Sequence, residues 1–262
     1  MPFAELPGVL LWYDDSAGGG TPLLLMHAAS GTSESWLHQV PAFTAAGFRC
    51  IAYDRRGWGR SKPGPAGEQP GCASDDLHAL VEHLNLDHFH LVGTAAGAAP
   101  AIDYALSHPE RLRSLVISNC TGGVQDQEHL EMLERIRPPE FQALPVVLRE
   151  VSASYRGTNP EGVRRWNEIA ETSNEETAAR QRPRNHVTYA LLETLRLPVL
   201  AIAGGADQTT PPVVMRAIAK HIPNCQYESI PEAGHAAFWE QPEVWNRLVL
   251  AFISRYQWPG TP

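Results

Sequence analysis

The stretch "LVGTAAGAAP", Leu91 to Pro100, has the glycine spacing of a sharp strand-to-helix turn of the kind that presents a catalytic nucleophile, yet alanine, Ala95, stands at its apex. Two later segments carry an acid and a base: Asp207 in "GGADQTTPP" and His235 in "PEAGHAAFWEQP". A histidine can take a proton from a nucleophile or from water, and a carboxylate beside it fixes its tautomer and stabilises the imidazolium that forms. That chemistry calls for no cofactor. The sequence contains neither a metal-ligand cluster nor a phosphate-cradling fingerprint, so no metal and no organic cofactor are expected.

For these residues to meet, the strands that precede them must end side by side. Short apolar runs alternate with helical patterns along most of the chain, the signature of βαβ units and a mainly parallel sheet. The runs are "GVLLWYDD", "TPLLLMH", "FRCIAYD", "HFHLVG", "LRSLVISN", "PVLAIAGG" and "CQYESIP". Several are almost continuously apolar, as expected where helices cover both faces of a sheet. Leu77, Leu80, Val81 and Leu84 fall at helical spacing, with Ser74 placed as N-cap. A second helix should begin just after "LVGTAAG" and run through "AIDYALSH" to Pro109, which lacks a backbone donor. From Gly122 to Leu195 the pattern becomes helical, polar and arginine-rich, broken at "RPPE" and "GTNPEG". The alternation resumes at "LPVLAIAGGADQTTPP", so a core of residues 1–121 and 196–262 is expected, interrupted by a helical lid at 122–195.

The 262 residues suffice for one sizeable core, and 43% hydrophobic with 19% charged residues is an ordinary globular balance. Acidic residues outnumber basic ones 29 to 21, for a formal charge of -8, which argues against nucleic acid or an anionic membrane as partner. The expected partner is a small-molecule substrate; a homo-oligomer stays open. No apolar run approaches the roughly 18 residues of a membrane span and no leader pattern is visible, so a cytoplasmic protein is expected. Cys50, Cys72, Cys120 and Cys225 are scattered and read as reduced packing residues. Cys120 is a partial exception, because it follows a strand on the side where sites form in α/β sheets.

Taken together, the motifs resemble those of the α/β-hydrolase superfamily over nearly the whole chain. "HAASGTSESW", His27 to Trp36, is similar to the family's oxyanion loop, with Ala28 where glycine is usual. "YDRRGWGRS", Tyr53 to Ser61, resembles its Asp–Arg–Gly turn, "GTAAG" stands at its nucleophile elbow, and position 95, Asp207 and His235 keep its order of nucleophile, acid and base. The resemblance implies an α/β fold: a mainly parallel sheet covered by helices on both faces, with the helical lid inserted after the sixth strand. It also implies that Ala95 occupies the nucleophile position, that Asp207 orients His235, and that the backbone N–H groups of Ala29 and Ala96 form the oxyanion hole. The chain resembles enol-lactonases in "YDRRGWGRS" and overall length, and its elbow is similar to that of the aminoacrylate hydrolases, which keep a non-nucleophilic residue there.

Blander readings stand beside these. Asp207 can serve as a helix cap alone. His27 is expected to pack, and "YDRRGWGRS" to be a structural turn in which Arg55 or Arg56 could still face the pocket. Arg149, Arg156, Arg164, Arg165, Arg180, Arg182 and Arg184 suggest carboxylate recognition, but the same segment is rich in glutamate, which favours solvated helix faces. Trp166, Tyr155, Tyr189 and Trp239 read as core or pocket wall. Three readings of Ala95 are open: a serine replaced to inactivate the protein, a native alanine in an enzyme that activates water, or a non-catalytic binding protein. The expected activity is hydrolysis of a small carbonyl compound such as an ester, lactone or enamine. A cofactor-free oxygenase or lyase is the alternative on the same fold.

Overall fold

The computed structural model describes residues 3–63, 71–173 and 181–257. Nine strands form one sheet: β1 (Phe3–Leu6), β2 (Val9–Asp15), β3 (Thr21–Met26), β4 (Phe48–Tyr53), β5 (Lys62–Pro63), β6 (Phe89–Thr94), β7 (Leu112–Ser118), β8 (Val199–Gly204) and β9 (Cys225–Ile230). Their order is β1-β2-β4-β3-β6-β7-β8-β9, with β5 pairing β2 off this path. All pairings from β4 through β9 are parallel, and those of β2 with β1, β4 and β5 are antiparallel. The expected α/β-hydrolase architecture is therefore present. The short strands β1 and β5 lie outside the expected runs.

The continuous apolar runs divide their residues between two cores, as a period of two requires. Leu24 and Met26 of β3 face one cluster, together with Leu77 and Leu80 of α2 (Ala73–His83), Ile102 of α3 (Ala98–Ser107) and Ile218 of the helix Pro212–Lys220. Leu23 and Leu25 face the other, together with Phe43 of α1 (Gln39–Ala45) and Trp245 and Phe252 of the helix Pro242–Ile253. Helices thus cover both faces. Ser74 is not the N-cap expected of it: Cys72 holds that position and the Ser74 hydroxyl donates instead to Asp103 Oδ2 at 2.6 Å. A serine hydroxyl follows the strongest acceptor in reach, and a buried carboxylate outbids a helix end.

Between β7 and β8 the described residues form helices and no strand: α4 (Gln127–Ile136), α5 (Pro139–Gln142), α6 (Val146–Glu150), α7 (Ala153–Thr158), α8 (Pro160–Glu171) and α9 (Tyr189–Leu192). This stretch follows β7, the sixth strand in chain order when the two-residue β5 is set aside.

The "YDRRGWGRS" turn is built as a brace. Asp54 is fully buried and accepts hydrogen bonds from Ser33 N at 2.7 Å and Arg60 N at 2.8 Å. Arg56 grips Asp76 through Nε at 2.8 Å and Nη2 at 2.6 Å, and also bonds the carbonyls of Pro7 and Gly8. Gly59, at φ +51, leaves no room for a side chain, since a Cβ would stand 2.7 Å from Asp54 Cγ. Asp54→Ala strands two buried donors and is expected to cost about 3 kcal/mol. Thermal unfolding should register a melting temperature lower by about 6–10 °C.

Candidate active site

Because β3, β6, β7, β8 and β9 are adjacent and parallel, the loops that follow them leave the same edge of the sheet. Ala95 begins a single 3-10 turn (Ala95–Gly97) between β6 and α3 and has φ 50, a left-handed conformation that disfavours a side chain. Such strain costs on the order of 1 kcal/mol or more and persists only where the surroundings enforce it. They do so here by contact: a Cβ on Gly93 would lie 2.7 Å from Ala98 Cα, and one on Gly97 would lie 2.5 Å from the His27 carbonyl.

Asp207 follows β8 and is held from several sides. Thr209 N and Thr210 N donate to Oδ1 at 2.7 and 2.9 Å, and Asn119 Nδ2 and Thr210 Oγ1 donate to Oδ2 at 2.9 and 2.8 Å. His235 follows β9 and brings Nδ1 to the same Oδ2 at 2.8 Å. Burial alone would raise the Asp207 pKa, but the charge and hydrogen bond of His235 and the donors Asn119 and Thr210 overcome it and hold the carboxyl at about 2. Burial opposes the charged form of His235, while Asp207 and then Glu150 favour it and Arg137 opposes it; the net shift is upward. The tautomer follows from the carboxylate: Nδ1 carries the proton and Nε2 is left to accept one.

Ala95 and His235 line one small cavity of about 270 Å³ together with Ala28, Ser30, Glu150 and Trp166. Ala29 is not among its lining residues, although its neighbours Ala28 and Ser30 are. Ala96 opens instead onto a second cavity of about 930 Å³, beside Arg55, Trp58, Ala99, Gln125 and Arg182. His27 packs, as expected: Nδ1 donates to Ala28 O at 2.6 Å and Nε2 accepts from Arg55 N at 3.0 Å. Both partners fix a neutral ring, and burial, reinforced by Arg55, pulls its pKa well down. Cys120 is buried against Met215, and burial pushes its thiol up to about 12, so it stays protonated.

The helical segment closes over this loop. Glu150 O accepts from Ala236 N at 3.0 Å, and Glu240 takes both Gly234 N and Ser152 N at 3.1 Å. Burial raises the Glu240 pKa against these donors. Most arginines of this helical segment are already engaged: Arg164 with Glu161 and Glu168, Arg165 with Glu34 and Glu168, Arg184 with Asp75, and Arg149 and Arg156 with backbone carbonyls. Arg182 lines the larger cavity with Ala96, Arg149 and Arg156 line a separate pocket with Ser152 and Gly234, and Arg180 lies outside the described residues. Trp166 is pocket wall, and Trp239 donates to Gly162 O at 3.2 Å.

Sequence reasoning missed Asn119, Thr209, Thr210, Ser30 and Glu150. The threonines adjoin Asp207 in "DQTT", so a capping search there would have found them. Asn119, at φ 49, was detectable as an asparagine directly past a strand. Glu150 has no local signal, because its place depends on how the helical segment packs.

The family model of the alpha/beta hydrolase fold matches residues 21–242. A Mycobacterium tuberculosis protein named "Putative non-heme bromoperoxidase BpoC" is 31% identical over 260 residues, 93% of this chain and 97% of its own. A 2-hydroxy-6-oxononadienedioate/2-hydroxy-6-oxononatrienedioate hydrolase of Burkholderia vietnamiensis is 28% identical over 260 residues, 93% of this chain and 90% of its own. Among solved structures, a thermophilic esterase from Thermogutta terrifontis aligns at TM-score 0.81 and 27% identity, over 97% of this chain and 98% of that one.

Proposed function

The chain belongs to the α/β-hydrolase-fold family, and from that premise we propose that it hydrolyses a small carbonyl compound, an ester, lactone or enamine, by direct attack of water. The observation that carries this reading is the Asp207–His235 pair. A carboxylate with five donors on it, one of them a buried imidazole at 2.8 Å, is assembled beside a turn whose own side chain cannot react. Keeping two ionisable groups buried and aligned is costly unless proton transfer uses them.

In this reading His235 Nε2 takes a proton from water as the water oxygen bonds to the carbonyl carbon. The electron pair of the C=O bond moves onto oxygen, which the N–H groups of Ala29 and Ala96 receive. Collapse of the adduct expels the leaving group, which takes the proton back from His235. Asp207 stays ionised throughout and stabilises the imidazolium. No acyl-enzyme forms at residue 95. The described helices α4 to α9 act as a lid that excludes bulk water, with Trp166 against the reacting group. The esterase and the dienedioate hydrolase named above are relatives named for hydrolysis, which supports the reaction class of this reading.

The test is turnover of p-nitrophenyl esters, lactones and enamines by the chain carrying Ala95; inactivity across all three classes defeats the reading. The pH profile follows from the shifts described. His235 works only as the neutral base, and its pKa is raised, so kcat/KM is lost as pH falls through a midpoint above the ordinary imidazole value of about 6.5. Asp207→Asn removes the main group that raises it, and the midpoint of the acid limb should move down. A limb that stays put in Asp207→Asn would disconnect His235 from the titration.

A further inference from the structure

We propose that Glu150 is the second hydrogen-bond acceptor for the attacking water, holding it with His235 in the space beside Ala95 where a serine hydroxyl would otherwise stand. This rests on the water-attack reading above and assigns that reading a residue from the helical segment.

Three observations place Glu150 there. It lines the same small cavity as Ala95 and His235, whose free centre is about the size of a single water molecule. Its Oε2 accepts from the hydroxyl of Ser30, which lines the cavity from the opposite loop, so the carboxylate is oriented and not merely adjacent. Its backbone carbonyl accepts from Ala236 N at 3.0 Å, which ties it directly to the residue after the base. A carboxylate has about four acceptor sites, so it can receive a water proton alongside its other partners.

A water that donates to one base alone can rotate about that bond, and its lone pair finds the carbonyl carbon only part of the time. With a second acceptor both O–H vectors are fixed and a lone pair is left facing the substrate. Protons balance without any change at Glu150. One water proton passes to His235 Nε2, the oxygen bonds to carbon, and the other proton stays on that oxygen, hydrogen-bonded to Glu150 until the adduct collapses. The charged groups acting on His235 are Asp207, Glu150 and Arg137, and Glu240 braces the loop that carries it. Of these only Glu150 faces the cavity with it.

Glu150→Gln keeps the shape and the Ser30 contact but replaces one acceptor with a donor. It should lower kcat by about 30-fold with KM within about twofold, while circular dichroism and the melting temperature stay near wild type. Nitrogen-15 NMR of His235 should show its titration midpoint fall as one negative charge is removed. Ser30→Ala, which only loosens the carboxylate, should lose about fivefold. A single turnover in ¹⁸O-water should place the label in the acid product.

Unchanged kcat in Glu150→Gln, with wild-type turnover intact, overturns the proposal and leaves the hydrolase reading standing. So does a raised KM with unchanged kcat, which would make Glu150 a substrate-binding group. Unlabelled product from the first turnover would make Glu150 a nucleophile and also overturns it. Absence of wild-type turnover removes both readings together.

Discussion

Replacing His235 with alanine should reduce kcat/KM by about 10⁴-fold on any substrate that the chain turns over. The size follows from what is lost. Nε2 is the neutral acceptor of the dyad, His235 is buried, and the remaining wall of the cavity offers no other group paired with Asp207. Water attacking without a positioned base must shed its proton to other water, with no aligned acceptor to take it in the transition state. The fold should survive, since Asp207 keeps the donors Thr209 N, Thr210 N, Thr210 Oγ1 and Asn119 Nδ2. Steady-state kinetics with a melting curve check both halves. A variant that turns over substrate within a few-fold of wild type would strip His235 of the role of base.

Ala95→Ser should convert the chain to a different kinetic scheme. The backbone already holds the φ 50 that a nucleophile elbow needs, and Gly93 and Gly97 already give the clearance, so only a hydroxyl is added. With His235 beside it, the serine should acylate on activated esters. Stopped-flow traces should show a burst close to one equivalent, and acylation should exceed the parent rate by about 10³-fold or more. Trapped acyl-protein seen by mass spectrometry would carry its mass on residue 95. A folded Ala95→Ser protein without a burst would mean that position 95 and His235 are misaligned. The outcome bears on the origin of the alanine as well, since a site shaped for serine should accept it without loss of stability.

The architecture was legible because it is written locally. Leu23 and Leu25 face one core and Leu24 and Met26 the other, so a buried parallel strand shows as an unbroken apolar run. Ala95, Asp207 and His235 stand out because each follows a strand of the parallel part of the sheet, β6, β8 and β9, and a parallel sheet delivers strand ends to one edge. Strands β1 and β5 were not legible, being short edge strands completed by pairing with β2 more than by any pattern of their own. Ser74 was misassigned because its better acceptor, Asp103, is distant in sequence. The helical segment was visible as composition only. Which of its glutamates pair with arginines on the surface and which one, Glu150, reaches the cavity depends on packing angles between helices that carry no sequence period.

The bonds from Ala236 N to Glu150 O and from Gly234 N and Ser152 N to Glu240 flank His235 on both sides. The helical segment and the loop of the base are therefore one mechanical unit. Any motion that lifts Glu150 to Ser152 away from the sheet must break the bond to Ala236 N, next to the imidazole, and the bond from Ser152 N to Glu240, while Gly234 N keeps its own bond to Glu240. Admission of a substrate by that route would loosen the residue next to the base, so opening of the site and alignment of the base are expected to be coupled.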